Sequence, residues 1–180
     1  MKNKYLNIEN EIIDRCRTGD SKAQYQLYKL YYKAMFNTSL RIINNKVEAE
    51  DVMQEAFLTA FEKMNTFSNE NNFGAWLKRI VINRSIDYLK KKKMDFCEIN
   101  EISENCMPEE NQNLNENKQE KIIQIKQAMH DLPEKYRVVL SLYLFEGFDH
   151  EEISQVLNVT QSNSRTLLTR GKQKLLEKLA

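Results

Sequence analysis

The sequence predicts an all-α protein made of two small helical domains. Three observations carry this. Only 4 glycines and 2 prolines punctuate 180 residues, so few turns interrupt the chain. Apolar residues recur at helical spacing along most of it. The exception runs from Met94 to about Lys118, MDFCEINEISENCMPEENQNLNENK. It is rich in Asn and Glu, contains Pro108 and sustains no period, so it reads as an irregular acidic linker. The expected division is a first helical domain at 1–94, a linker at 95–120 and a second domain at 121–180.

Taken in order, residues 8–17 and about 21–44 give two helices separated by Thr18-Gly19-Asp20. Leu27, Leu30, Tyr31, Met35 and Ile42 or Ile43 keep to one face of the second. A third helix spans about 48–65, with Met53, Phe57, Ala60, Phe61 and Met64 as its buried stripe. Glu48, Asp51, Glu55 and Glu62 line its opposite side. TFSNENN, 66–72, is a polar loop. A fourth helix follows, from Phe73 or Gly74 to about Lys92. At about 100° per residue, Leu77, Ile80, Val81 and Tyr88 form one apolar side, and Ile82, Ile86 and Leu89 form a second. Trp76, Arg79, Asn83, Asp87 and Lys90 make the remaining, outward stripe.

After the linker, Ile122, Ile125, Met129 and Leu132 mark a helix that ends near Pro133. Residues 134–146 give the next, with Tyr136, Val139, Leu140, Tyr143 and Leu144 inward and Gly147 as its stop. The last segment reads as two helices with a tight turn. Asp149 with Glu152 fits a capping box. Ile153, Val156 and Leu157 face inward, and Asn158-Val159-Thr160 makes the turn. The final helix, from about Gln161, has Ser164, Leu168, Gly171 and Leu175 inside and Arg165, Thr166, Thr169, Arg170 and Gln173 outside. A buried seam beneath an outer stripe of cations, hydroxyls and amides is the helix-turn-helix plan, able to reach phosphates and base edges in a major groove.

Several function classes are excluded. No glycine-rich phosphate loop is present. Cys16, Cys97 and Cys106 lack paired spacing and read as reduced thiols. His130 and His150 stand apart from any ligand set, so neither a metal, a cofactor nor a catalytic constellation is expected. The N-terminus lacks the apolar run of a signal peptide, and no stretch reaches transmembrane length; a cytoplasmic protein is expected. Net charge is +1, but its distribution is uneven. Residues 78–93 carry seven Lys or Arg against one Asp, whereas 95–120 carry eight Asp or Glu against one Lys.

The chain resembles the extracytoplasmic-function group of the sigma-70 family, the detachable promoter-reading subunits of bacterial RNA polymerase. In the first domain the resemblance rests on Gly19-Asp20, Ala49-Glu50-Asp51, Gln54-Glu55-Ala56-Phe57 and the run FGAWLKRIVINRSIDYL. In the second it rests on Leu132-Pro133-Glu134-Lys135-Tyr136-Arg137, Glu146-Gly147 and Glu151-Glu152-Ile153-Ser154, with Leu157. The order of these motifs, with an irregular linker between, makes the signal specific. The resemblance implies a non-enzymatic initiation factor with core RNA polymerase and promoter DNA as partners, and an anti-sigma factor as regulator. The last helix departs from the family pattern: Ser162, Asn163 and Ser164 stand at its entry, and Leu167 replaces a cation. Ser164 on the inner face predicts a less firmly seated helix.

By this resemblance Glu48, Asp51, Gln54, Glu55 and Glu62 contact polymerase, where the residues alone permit a plain solvated face. Asn71, Asn72, Phe73, Trp76, Arg79, Asn83, Lys90, Lys91 and Lys92 meet the −10 element. Lysines neutralise phosphates, and a Trp face can stack on a base exposed where pairing ends. For Trp76 a core position remains open, and for the lysines a solvated helix end favoured by the dipole. Arg165, Thr166, Thr169, Arg170 and Gln173 are expected to read the −35 element. The acidic linker is either a tether or a strand that threads a positive polymerase channel. The sequence also fits a stand-alone helix-turn-helix regulator or a helical protein-binding adaptor.

Overall fold

The computed structural model describes residues 2–68, 72–95 and 116–179, and every regular element among them is helical. The chain divides into two units, Met1–Glu101 and Ile102–Ala180. Cys97, Cys106, Asn71 and most of the acidic linker lie outside the described residues.

The first unit holds α1 (Lys2–Arg17), α2 (Ser21–Ile43), α3 (Lys46–Glu62), a 3₁₀ turn (Met64–Thr66) and α4 (Phe73–Asp95). Helix α1 starts six residues earlier than the periodicity suggests, because no breaker precedes residue 8. Gly19, at φ 80°, turns the chain between α1 and α2, and the Asp20 carboxylate accepts from the backbone N–H groups of Lys22 and Ala23 to cap α2. Asn44 and Asn45 alone join α2 to α3. Asn44 ends α2 in the left-handed region, and Asn45 caps α3 through Glu48 N, which suits an amide side chain at both positions.

The core of this unit is built from Ile13, Leu27, Met35, Met53, Phe57, Met64, Leu77 and Val81. Leu30, expected inside, is 62% exposed. A four-residue step rotates a helix position by about +40° and a three-residue step by about −60°. The buried line therefore runs Leu27, Tyr31, Met35 and leaves Leu30 outside. Helix α3 ends at Glu62, short of 65, and tightens into the 3₁₀ turn that seats Met64. Helix α4 is buried on both of its apolar sides, at Leu77 and Val81 and at Ile82, Ile86 and Leu89. Between them Ser85 is also buried; its hydroxyl donates to Val81 O, so at 3.1 Å it receives its bond from the Ser39 hydroxyl of α2.

The second unit holds α5 (Glu116–His130), α6 (Glu134–Leu144), α7 (His150–Leu157) and α8 (Gln161–Leu179). Helix α5 begins within the stretch expected to be linker. Its Ile125 is 41% exposed, while Ala128, Met129 and Leu132 are buried. Helix α6 is the centre of the unit: every residue from Tyr136 to Leu142 is buried. Its expected inward residues Tyr143 and Leu144 are instead 36% and 49% exposed, since the helix stops at Leu144 and Gly147, at φ 74°, redirects the chain. Buried Arg137 donates to Leu132 O and closes the α5–α6 corner; burial lowers its pKa from the usual guanidinium range. Helix α8 packs on α5, α6 and α7. Gly171 lets it approach α6, where a Cβ would lie 3.2 Å from Leu140. None of the described helices is long and apolar enough to cross a membrane.

Candidate nucleic-acid interface

Helix α4 sets the first candidate surface. Asn72 opens it: its side-chain oxygen accepts from Ala75 N at 3.0 Å and its carbonyl from Trp76 N. Sequence reasoning assigned Asn72 to DNA and missed this cap, whose signal is an Asn just before the first periodic residue. Phe73, expected at the DNA surface, is a core residue, 2% exposed. Its ring lies 5.4 Å from Tyr31 and Phe67 and 5.6 Å from Trp76, so aromatic packing takes the side chain a surface contact would need. Trp76 is half-buried, packed on Phe67 at 5.2 Å and against the unit's core. Trp76 thus sits at the edge of the core: one portion of the indole packs inside and the remainder meets solvent. Arg79, Asn83, Asp87, Lys90 and Lys91 follow as an exposed stripe.

The last member of that series behaves differently. Lys92 Nζ lies 2.6 Å from a carboxylate oxygen of Glu48 in the first turn of α3. Arg84 Nη2 donates to Thr59 Oγ1 at 2.8 Å further along. These two ties run in opposite order along the helices, so α3 and α4 are antiparallel and each end charge sits at the favourable pole of its helix. Beside the pair, burial and then Glu48 push the Tyr88 hydroxyl up to about 12. Glu48 and Lys92 are therefore engaged with each other, one expected at polymerase and the other at DNA.

Asp51, Gln54, Glu55 and Glu62 are all exposed on α3. Next to them a groove between α2 and α3 is lined by Tyr25, Tyr28, Gln54, Leu58 and Phe61. Tyr25 is 60% and Leu58 63% exposed. The sequence reading missed this apolar component. Its signal was present: Tyr25 and Leu58 fall off the buried faces of their helices.

Helix α8 sets the second candidate surface. Arg165, Thr166, Thr169, Arg170 and Gln173 are all exposed, while Ser164, Leu168 and Gly171 are buried. The hydroxyls of Thr166 and Thr169 donate to the backbone carbonyls four residues back, which leaves their lone pairs outward. Gln173 donates to Glu177 at 3.1 Å. Ser164 lies in the seat of this helix. Ser164 is wholly buried but not unpaired: its hydroxyl lies 3.0 Å from His150 Nδ1. His150 in turn stacks on Tyr143 at 5.4 Å. A satisfied polar group in a seam costs little. Asp149 and Glu152 form the capping box of α7 in full, and Thr160 caps α8 through Asn163 N.

These two surfaces fall on segments that match known protein families. Residues 27–94 match the family model described as Sigma-70 region 2, and 122–175 match the one described as Sigma-70, region 4. Together they cover more than half of the chain. The chain is similar to the ECF RNA polymerase sigma factor SigW of Bacillus subtilis, 28% identical over 183 residues, across 93% of this chain and 94% of that one. It is similar to the ECF RNA polymerase sigma factor SigM of the same organism, 27% identical over 154 residues, across 83% and 91%. Among solved structures it is similar to the sigma factor RpoE from Bartonella quintana, crystallised with the anti-sigma factor NepR. The TM-score there is 0.61 at 21% identity, over 86% of this chain and 95% of that one; that likeness speaks to the fold alone.

Proposed function

The chain belongs to the sigma-70 family, in its extracytoplasmic-function group, and from that premise we propose how its surfaces divide the work of initiation. It is an alternative sigma factor: it binds core RNA polymerase and directs transcription from specific promoters. Polymerase performs the chemistry, and this chain supplies recognition and opening without a catalytic centre of its own, in the cytoplasm where its polymerase works.

Residues 1–94 act as the region 2 domain, 95–120 as the acidic linker and 121–180 as the region 4 domain. The exposed face of α3, with Asp51, Gln54, Glu55 and Glu62, docks on polymerase. Glu48 serves this face from within, through its hold on Lys92. Asn71 and Asn72, the exposed edge of Trp76, Arg79, Asn83, Lys90 and Lys91 meet the −10 element, with Phe73 supporting Trp76 from the core. Arg165, Thr166, Thr169, Arg170 and Gln173 read the −35 element. An anti-sigma factor is the regulator that membership of this family implies.

The observation that carries this division is the outward row of α8. All five of its expected DNA residues are exposed, above a seam of Ser164, Leu168 and Gly171. The test is run-off transcription on genomic fragments with core polymerase, with and without this protein. New start sites that depend on the protein are expected. Binding to specific duplex without polymerase, and no new transcripts, would instead mark a stand-alone regulator.

A further inference from the structure

Helix α1 lies before residue 27, outside the segment that matches region 2, yet it reaches the aromatic group that carries Trp76. Arg17, in its last turn, uses both ends of its guanidinium. Nη1 donates to Asp14 Oδ1 at 2.7 Å, and Nη2 donates to the backbone carbonyl of Phe67 at 2.6 Å. Phe67 follows the 3₁₀ turn and stands where the chain leaves regular structure. Its ring is 4% exposed and packs at 5.2 Å on Trp76 and at 5.4 Å on Phe73. A carbonyl at such a point has no helical partner, and a charged donor is the strong way to fix it. Asp14 holds the guanidinium in its plane, so the fork is aimed before it binds.

We propose that Arg17 is a positioning residue for strand opening, acting through Phe67 on Trp76. The inference rests on the reading of Trp76 as the group that meets the melting junction. A ring that stacks on a base must keep one edge fixed while the other is loaded. Phe73 fixes Trp76 from α4 itself, one turn away. Phe67 fixes it from a different segment, and that segment is held in place by the Arg17 bond. Without the bond the Phe67 backbone is free to rotate its carbonyl towards water, and the shared aromatic packing loosens with it. Arg17 touches no DNA in this scheme, and its loss affects opening rather than the first encounter.

The experiment uses the full chain with core polymerase on a promoter recovered by run-off transcription. Two templates are compared: the ordinary duplex and the same promoter with a pre-opened, mismatched −10 bubble. Core affinity is measured by titration, opening of the duplex by permanganate reactivity of thymines, and the two templates are compared by the rate of run-off transcription. Arg17→Ala is expected to slow opening on duplex by about tenfold, the order of one charge-assisted hydrogen bond. The bubble template should restore it, with core affinity and helicity unchanged. Arg17→Gln, which is shorter and uncharged, should show the same pattern and serves if the alanine variant folds poorly. Normal opening on duplex by both variants overturns the proposal. So does an equal loss on both templates or a loss of core affinity, which would make Arg17 a general support of the unit. Normal opening on duplex by Trp76→Leu would instead overturn the reading of Trp76 beneath it.

Discussion

Lys92 on α4 and Glu48 on α3 form an ion pair at 2.6 Å, with side chains 31% and 23% exposed. It joins the lysine run to the start of the acidic face. Both members are drawn out of the two surfaces to which their residue types would assign them. In the run that starts at Lys90, Lys90 and Lys91 are exposed, whereas Lys92 is half-buried.

The lysines should accordingly differ in their salt dependence. Each phosphate contact contributes about 0.9 to the slope of log affinity against log salt. Lys91→Gln should therefore reduce the slope for promoter binding by about 0.9. Lys92→Gln should change it by much less and should instead destabilise the first unit by about 1 kcal/mol, read from urea unfolding. Equal slopes for the two variants would mean that the pair opens when DNA binds.

On α3, reversing exposed Asp51 and Glu55 to Lys should weaken binding to core polymerase and leave helicity intact. Glu48→Gln should reduce affinity less than this reversal, because Glu48 already spends its charge on Lys92. Titration of labelled protein with core polymerase measures both. Unchanged affinity in the Asp51 and Glu55 double variant would remove the acidic face from the docking surface.

Trp76→Ala should combine two effects, since the indole is half core and half surface. Loss of packing on Phe67 and Phe73 should cost about 2–3 kcal/mol, below the ~3–5 typical of a fully buried aromatic. Trp76→Leu keeps most of the apolar volume but no large π face. It should restore much of the stability and little of the open-complex formation. Full recovery of opening by the leucine variant would assign Trp76 to the core alone.

Arg165→Ala and Arg170→Ala should each weaken binding of the upstream element. A guanidinium that bridges two acceptors on guanine is worth about 1–3 kcal/mol at that base; one that clamps a phosphate weakens all sequences alike. A panel of single-base variants separates the two. Unchanged binding by both variants, with the fold intact, would exclude α8 from readout.

Much of this molecule was legible from local chemistry. Asp149 and Glu152 at a three-residue spacing announced a capping box that is present in full. Helical periodicity on α8 separated Ser164, Leu168 and Gly171 from the outer row because the buried residues of that helix share one face. Where a helix packs on several sides the pattern fails. On α6 the run from Tyr136 to Leu142 is buried throughout, so periodicity could not rank its residues, and it misplaced Tyr143 and Leu144. Phe73 was assigned to the DNA surface by the family resemblance. That assignment lacked the rings of Tyr31 and Phe67, which arrive from other segments.

The sequence by itself determined the helices, their caps, the two-domain order and the family, because these depend on residues within a few positions of one another or on motif order. The tertiary structure decided which charges remain available and which polar groups are satisfied. Glu48 and Lys92 are 44 positions apart, Arg17 and Phe67 are 50 apart, and His150 and Ser164 are 14 apart. Each pair meets only through the packing of segments remote in sequence. A side chain's partner is set by distance in space, and no helical period encodes that distance.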